Sequence, residues 1–249
     1  MDDGLAGYPV AAPPLAGRVW FDQRWLDLTF LHWPVRAADV AHLYPTGTRP
    51  DEFDGMTYVG LVPFRMGATA LGTGPPLPYF GAFAETNVRL YSIDDAGRHG
   101  VLFCSLETAR LAVVPAIRAT IGVPYTWARM RITRSAGLIT YDSVRRWPRR
   151  GMHSHVAVRP GPAVEPSPLE IWLTARWGAH THRGGRTWWV PNQHDRWPLQ
   201  SAELVDLDDE LVAAAGVRTA GDRLRVLYSP SMRTRFSRPI VVAGPGGSQ

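Results

Sequence analysis

The chain has 249 residues, of which 45% are hydrophobic and 20% are charged, so it can bury a full-sized core as one β-rich domain or as two smaller domains. Its formal net charge is +5, and all 27 basic residues are arginines. Without lysine the chain has no side-chain amine, which excludes catalysis through a lysine Schiff base.

Strand signals dominate residues 18–242, which we predict to form a single domain between a flexible leader (1–17) and a disordered tail (243–249). Alternation, β-branched and aromatic residues, and turn residues predict strands at 55–66, 86–93, 101–105, 129–134, 138–144, 153–159, 169–177, 187–191, 200–204 and 223–228. Residues 94–97 and 135–137 are typical of hairpin turns.

Helical signals are fewer. A short helix is predicted at 37–43, a longer one at 106–121 with Pro115 as a kink or break, and a third at 208–215 before Gly216. Many short strands with two or three helices indicate an α+β fold that is mostly β, as a barrel or sandwich with a few flanking helices.

Two histidine doublets each place two imidazoles on one face of a predicted strand, namely His153 with His155 and His180 with His182. On paired strands, such doublets have the residue types of a zinc or iron site. The alternative is that both lie in or next to exposed turns, since Gly184 and Gly185 follow the second doublet. We favour this alternative and predict neither a metal nor a cofactor.

The densest basic run is Arg145-Arg146-Trp147-Pro148-Arg149-Arg150. Such a run could contact phosphates, but acidic residues are scattered through the remainder of the chain and no nucleic-acid-binding motif accompanies the run. We interpret it as a solvated loop and expect no nucleic-acid partner.

Cys104 and Ser105 are the nucleophile candidates, but no Gly-x-Ser-x-Gly elbow surrounds either residue. Cys104 follows apolar Val101-Leu102-Phe103 and is interpreted as an inert buried thiol. Because it is the only cysteine, no internal disulfide can form, which suits a reducing cytoplasm. The sequence contains no apolar run of about 18 residues, so no membrane span is predicted. The N-terminus lacks the features of a signal peptide. A cytoplasmic location is expected.

Glu85 begins a predicted strand, directly after apolar Phe83-Ala84. An apolar surrounding can raise the pKa of a carboxyl group enough for acid or base catalysis. Asn87 and Arg89 follow on the same predicted strand face. The alternative is a structural salt bridge between Glu85 and Arg89, and the local pattern by itself favours that alternative.

Several motifs, taken together, resemble the uncharacterised YqjF-like bacterial family, a domain of unknown function. They are Gln23-Arg24-Trp25, Phe30-Leu31-His32-Trp33-Pro34-Val35, Asp54-Gly55, Val59-Gly60-Leu61-Val62-Pro63-Phe64, Glu85-Thr86-Asn87-Val88-Arg89, Tyr91, Phe103-Cys104-Ser105-Leu106, Pro124-Tyr125, Ala128, Met130, Leu173-Thr174-Ala175-Arg176-Trp177, His194, Trp197-Pro198-Leu199 and Tyr228-Ser229-Pro230. The match extends over about residues 18–236.

That family is distantly similar to the acetoacetate decarboxylase superfamily, and the resemblance implies a β-barrel that encloses a pocket and has flanking helices. In the decarboxylase a glutamate opens a strand on the pocket wall, and the Schiff-base lysine follows a Gly-x-Pro turn. Here Glu85 corresponds to the glutamate and Gly122-Val123-Pro124 to the turn, but Tyr125 and Thr126 occupy the following positions. Iminium decarboxylation is therefore excluded.

The resemblance implies a pocket for a small keto or carboxylated compound. Glu85 is the predicted general acid or base, and the hydroxyl of Tyr125 would donate to a carbonyl or enolate oxygen. Lyase, hydratase or isomerase chemistry would suit this pair, although a non-catalytic binding or sensing protein and a metal-dependent enzyme remain alternatives. Homo-oligomers are left open. The other candidates are His32 and His194 for proton transfer and Arg89, Arg118, Asn87 and Thr126 for substrate binding.

Overall fold

The computed structural model of the chain describes Leu5 and residues 7–78, 81–219 and 224–242. Within these residues it contains thirteen strands. They are β1 (Val19–Val35), β2 (Thr48–Pro50), β3 (Thr57–Leu71), β4 (Phe83–Asp94), β5 (His99–Thr108), β6 (Tyr125–Ser135), β7 (Leu138–Trp147), β8 (His153–Ala163), β9 (Gly178–Arg183), β10 (Arg186–His194), β11 (Gln200–Asp209), β12 (Arg225–Ser237) and β13 (Ile240–Val241). The helices are α1 (Ala37–Val40), continued by a 3-10 turn at Ala41–Leu43, α2 (Val113–Thr120), α3 (Pro168–Thr174) and α4 (Leu211–Ala214).

All thirteen strands belong to one sheet that curls into a ring. The sheet order β5-β6-β7-β8-β11-β12-β1-β3-β4 closes on itself, because β4 also pairs with β5. Most neighbours are antiparallel, but β5 pairs in parallel with β6 and with β9. The predicted fold class, mostly β with a few helices, is confirmed.

Apolar residues that alternate along the strands form buried clusters on both faces of the sheet. One buried cluster is centred on Leu31, Val59 and Val88, and a second on Phe30, Phe64 and Trp197. The second cluster lies on the same strands as the cavity described below. The longest strand, β1, was not predicted, although several of the motifs quoted above for the family resemblance lie on it.

Two predicted helices are shorter in the structure than their spacing indicated. The helix expected at 106–121 is wrong over its first half, because β5 continues to Thr108 in pairing with Glu85 of β4. Only Val113–Thr120 is helical. The helix expected at 208–215 is likewise reduced to Leu211–Ala214, because Asp208 and Asp209 extend β11 against β8. In both places strand pairing, which local periodicity does not report, prevails over helical spacing.

The strand predicted at 169–177 is wrong, because this segment forms α3. The Ser167 hydroxyl accepts a hydrogen bond from the Glu170 backbone, the Glu170 carboxylate accepts one from the Ser167 backbone, and Pro168 occupies the first turn. This capping box is the sequence signal that the strand prediction overlooked.

The leader is not free of the domain over its whole length. The Tyr8 hydroxyl donates to the Ala175 carbonyl over 2.7 Å, and the Trp177 indole donates to the Pro9 carbonyl over 2.5 Å. Tyr8 and Pro9 of the predicted leader therefore contact the residues that follow α3. The tail predicted at 243–249 lies outside the described residues. Among the helices described, none has the length and apolar character needed to cross a membrane.

The basic run at 145–150 was predicted to be a solvated loop. This is wrong for Arg145, which is buried. Arg145 belongs to β7, is 7% exposed and forms a bidentate ion pair with fully buried Glu107 of β5. The following residue, Arg146, is exposed. Alternation along β7 accounts for the difference, because successive side chains of a strand point to opposite faces.

Candidate functional site

A cavity of about 220 Å³ lies between β1, β3, β4, β5, β9, β10 and β12, which form a second closed circuit because β9 pairs with β5 and β10 pairs with β12. Four of the predicted site residues line it, namely Glu85, Arg89, Tyr125 and His194. Arg176 and Asn192, which were not predicted, line it as well. Most of the remaining wall is apolar or aromatic, so the few polar groups define where a polar ligand atom can be held.

Glu85 lies near the start of β4, opposite Phe64 of β3 and Thr108 of β5. Its side chain is 3% exposed, and burial raises its pKa from 4.5 to about 8. The carboxyl group therefore carries a proton at neutral pH, which makes it a proton donor in the cavity wall.

Tyr125 is the hydrogen-bond partner of Glu85, donating from its hydroxyl to Oε2 over 2.9 Å. The Gly122-Val123-Pro124 turn leads into Tyr125, the first residue of β6, where it lies opposite Leu106 of β5. Gly122 has a φ of +77°, and a Cβ there would be 2.8 Å from the His182 carbonyl oxygen. The turn therefore requires glycine. It positions Tyr125 within hydrogen-bond distance of Glu85.

Burial, reinforced by the negative charge of Glu85, raises the pKa of Tyr125 well above its ordinary value. The phenol therefore stays protonated over the physiological range and acts as a hydrogen-bond donor. The hydrogen bond from Tyr125 lowers the pKa of Glu85 and so limits the increase that burial causes.

Arg89 does not form the structural salt bridge that was weighed for Glu85. Among the ion pairs of the described residues none joins the two, and the Arg89 guanidinium instead donates to the Tyr91 hydroxyl over 3.2 Å. It lies 5.5 Å from the centre of the Phe30 ring, and its Nε has no hydrogen-bond partner among the described residues. Arg89 thus brings a buried positive charge to the cavity wall.

Arg176 follows α3, is 4% exposed and lies 3.9 Å above the Trp172 ring. Its Nε donates to the Trp172 carbonyl over 2.8 Å, and its Nη1 forms an ion pair with buried Asp51. Burial by itself raises the pKa of Asp51, but the hydrogen bond with His99 and the charge of Arg176 bring it below its ordinary value. Asp51 is therefore ionised and holds Arg176 in place.

The two histidine candidates are in different positions. His194 of β10 lines the cavity, donates from Nδ1 to the Asp195 carbonyl over 2.7 Å, and has its pKa lowered by burial. His32 is fully buried away from the cavity lining, with Nε2 2.6 Å from the Tyr91 hydroxyl, and burial lowers its pKa well below the ordinary value. His32 is therefore neutral at physiological pH and lies off the lining of the cavity.

Three further predicted binding residues lie off the cavity lining. Arg118 is exposed on α2 and donates to the Tyr125 carbonyl over 2.9 Å. The Thr126 hydroxyl donates to the Leu106 carbonyl over 3.3 Å. Asn87 is buried, but it does not line the cavity as Glu85 and Arg89 on the same strand do.

The histidine doublets do not come together, because β8 and β9 are not neighbours in the sheet. His180 is buried between Ser92 and Asp94, whereas His182 is exposed. His153 contacts Asp208 and Glu210 on the outer surface. Over the part of the chain that the structure describes, no group of three or more histidine, cysteine or acidic side chains has the arrangement of a metal site.

Cys104 is partly buried beside the central core cluster. Burial raises the pKa of its thiol to about 12, so the thiolate is scarce at neutral pH. This agrees with its interpretation as an inert thiol.

Replacing Tyr125 with phenylalanine is expected to raise the pKa of Glu85 above its value of about 8, because the hydrogen bond that opposes the effect of burial is lost. A hydrogen bond to a charged group is worth about 1.5–3 kcal/mol, which corresponds to roughly one to two pH units. The measurement is a carbon-13 NMR titration of the Glu85 carboxyl carbon in wild type and Tyr125→Phe. Tyr58→Phe, at another tyrosine of the sheet, is the control. An unchanged midpoint in Tyr125→Phe would contradict the coupling.

Sequence comparison agrees with the resemblance drawn from the motifs. The model of family DUF2071, described as an uncharacterized conserved protein, matches residues 22–233. Uncharacterized protein YqjF of Bacillus subtilis (strain 168) is 30% identical over 198 residues, which cover 78% of this chain and 81% of that protein.

Solved structures with the same fold are much more distant in sequence. Acetoacetate decarboxylase from Legionella pneumophila is similar with a TM-score of 0.65 at 11% identity, over 97% of this chain and 96% of that chain. The enduracididine biosynthesis enzyme MppR, complexed with the condensation product of pyruvate and imidazole 4-carboxaldehyde, is similar with a TM-score of 0.63 at 11% identity, over 92% and 91%. An acetoacetate decarboxylase-like enzyme from Sphingomonas wittichii RW1 gives 0.61 at 12% identity, over 92% and 94%.

These structural likenesses establish an acetoacetate decarboxylase-like fold, and at such low identity they establish the fold alone. The sequence matches are more specific, since the family model extends over most of the chain and a relative at 30% identity supports it. The chain belongs to the DUF2071 family of uncharacterized conserved proteins.

Proposed function

We propose that this protein is a pocket enzyme that acts on a small keto or carboxylated compound by acid–base chemistry without a Schiff base. The observation that carries the proposal is the buried Glu85–Tyr125 pair in the cavity wall, with a Glu85 pKa of about 8. A carboxyl group that changes protonation state near neutral pH can both give and take a proton at the working pH.

The chemistry that fits these groups is enolisation and the lyase or isomerase steps that begin with it. Glu85 as a carboxylate takes a proton from the carbon next to a carbonyl group, and the electron pair moves to the carbonyl oxygen. The Tyr125 hydroxyl can donate to that developing oxyanion. In the reverse direction, protonated Glu85 returns the proton to carbon, so atoms and charge balance over the cycle.

Arg89 supports the carboxylated part of the proposal, because it places a positive charge on the cavity wall that no described carboxylate neutralises. A substrate carboxylate would supply the missing partner, and the planar guanidinium suits it. MppR, which has the same fold, is known in complex with pyruvate, so another protein of this fold binds a keto acid.

The test is the exchange of carbon-bound protons for deuterium, followed by proton NMR, in a panel of 2-oxo acids, 3-oxo acids, lactones and ketones. Wild type is expected to speed exchange in at least one class, and Glu85→Gln to reduce that rate by at least a hundredfold, since acid–base groups contribute about 10²–10⁴-fold. Exposed Glu52→Gln is the matched control and should keep the wild-type rate.

The same panel separates the proposal from a non-catalytic binding or sensing role. A ligand that binds only the folded state raises its stability by about 2.7 kcal/mol when present at a hundredfold excess over Kd. A compound that raises the melting temperature of both wild type and Glu85→Gln but exchanges no protons would identify a binding protein. That outcome would overturn the enzyme proposal.

A further inference from the structure

We infer that the ligand of this cavity is an amphipathic acid, with a carboxylated head held by Arg89 and Arg176 and a bulky apolar tail, a ring or a hydrocarbon chain, at the aromatic end. The inference rests on the proposed function for the chemistry of the head. It adds the chemical class of the remainder of the molecule, which the proposed function leaves open.

The cavity has two chemically different ends. The strand partners along β3 give the order of residues from one end of the cavity to the other. At the first end Phe21 pairs with Leu71, and next Met66 pairs with both Trp25 and Phe83. Phe64 then pairs with Glu85, and Gly60 pairs with Arg89 at the second end. The first pairs in this order bring aromatic rings to the lining, together with the uncharged polar pair Gln23 and Thr69, and the last bring charged groups. Trp20, Phe236 and Pro239 join the aromatic end.

The charged end has an uncompensated positive charge. Arg89 and Arg176 bring two positive charges, and Asp51 neutralises one of them, while the Glu85 carboxyl is protonated at neutral pH. A buried charge without a partner is costly, so one anionic group at this end stabilises the site. Both guanidinium groups also retain a nitrogen without a partner among the described residues, Nε of Arg89 and Nη2 of Arg176.

The aromatic end requires something apolar and larger than a methyl group. An apolar cavity of about 150 Å³ is sufficient to bind benzene, and this cavity has about 220 Å³. A three-carbon keto acid bound at Arg89 would not extend to the rings of Phe21, Trp25 and Phe236, which follow at the other end of the strand order. Trp20 is 44% exposed at this end, so its indole is available to cover a tail.

The experiment is a Kd series, by titration calorimetry and tryptophan fluorescence, with straight-chain 2-oxo acids from pyruvate to 2-oxodecanoate and with phenylpyruvate. Each added methylene is expected to lower Kd about fourfold until the aromatic end is filled, since burying one methylene contributes about 0.8 kcal/mol. 2-Oxooctanoate should therefore bind at least a hundredfold more tightly than pyruvate.

Two controls separate the head from the tail. 2-Octanone, which lacks the carboxylate, should bind at least tenfold more weakly than 2-oxooctanoate, and Arg89→Gln should remove most of that difference. Trp20→Ala, at an exposed position where the fold should tolerate it, should weaken 2-oxooctanoate several-fold and leave pyruvate unchanged.

A Kd that stays flat along the series in wild type would overturn this inference, even if Glu85-dependent proton exchange is found with short acids. The converse result, a Kd that falls steeply with chain length without any proton exchange, would overturn the proposed enzymatic function. It would still support an amphipathic acid as the ligand. The two failures are therefore distinguishable with wild-type protein, whatever the variants do.

Discussion

Replacing Arg145 with methionine is expected to lower the free energy of unfolding by about 3–5 kcal/mol, because it leaves the Glu107 carboxylate buried without its partner. Arg145 Nε lies 3.0 Å and 3.1 Å from the two carboxylate oxygens of Glu107, and its Nη2 makes a closer contact with one of them. Glu107 is 0% exposed, so water cannot replace the arginine. Urea denaturation at neutral pH measures the loss.

Arg146→Met is the matched control, since Arg146 is the next residue on β7 and is exposed. It should change the free energy of unfolding by less than about 0.5 kcal/mol. The double variant Glu107→Leu with Arg145→Met should recover most of the loss, because removing both members of a buried pair leaves no unpaired charge. An Arg145→Met protein as stable as Arg146→Met would contradict the argument.

The pair also bears on the site, because it spans the strand that carries Tyr125. Glu107 of β5 lies opposite Thr126 of β6, and Arg145 of β7 lies opposite Ala128 of β6. The ion pair therefore connects β5 to β7 across β6, within three residues of Tyr125. Breaking it should loosen the Tyr125–Glu85 contact as well as the fold.

The sequence predicts strands well where one face is buried and the other is not, and less well where a segment is buried throughout. At β7 alternation gives the right element, whereas the apolar run that forms α3 fits a buried helix and a buried strand equally. The capping box at Ser167 would have decided between them. The end of β5 at Thr108 depends on pairing with distant Glu85, which no local pattern contains.

The residues of the candidate site also differ in whether local sequence is sufficient to predict them. Glu85 and Tyr125 are accessible from the sequence, because the resemblance aligns both with positions on a pocket wall. Arg176 is not, because its orientation depends on α3 and on Asp51, 125 residues away in the chain. Arg118 was predicted to bind a substrate carboxylate because a guanidinium group suits one, but its side chain is exposed on α2 and donates to the Tyr125 carbonyl.

Substituting Glu85 with glutamine is expected to stabilise the folded protein at neutral pH, by an amount that increases with pH. The pKa of Glu85 is about 8 in the folded protein and 4.5 as its model value, so between these values the folded state holds a proton that the unfolded state has released. Wild type therefore loses stability as pH rises through this window, by about 1.4 kcal/mol per pH unit, whereas a neutral glutamine loses none. At pH 7 the difference is about 3 kcal/mol.

Urea denaturation of wild type, Glu85→Gln and the exposed control Glu52→Gln at pH 5, 6, 7 and 8 measures this difference. The gap between wild type and Glu85→Gln should widen at each step up to pH 8, while Glu52→Gln follows wild type. A Glu85→Gln protein that is less stable than wild type by the same amount at every pH would instead indicate a scaffold residue. A carboxyl group whose burial lowers stability at neutral pH is difficult to explain by structure alone, and a protonated acid in the cavity wall is what acid–base chemistry requires.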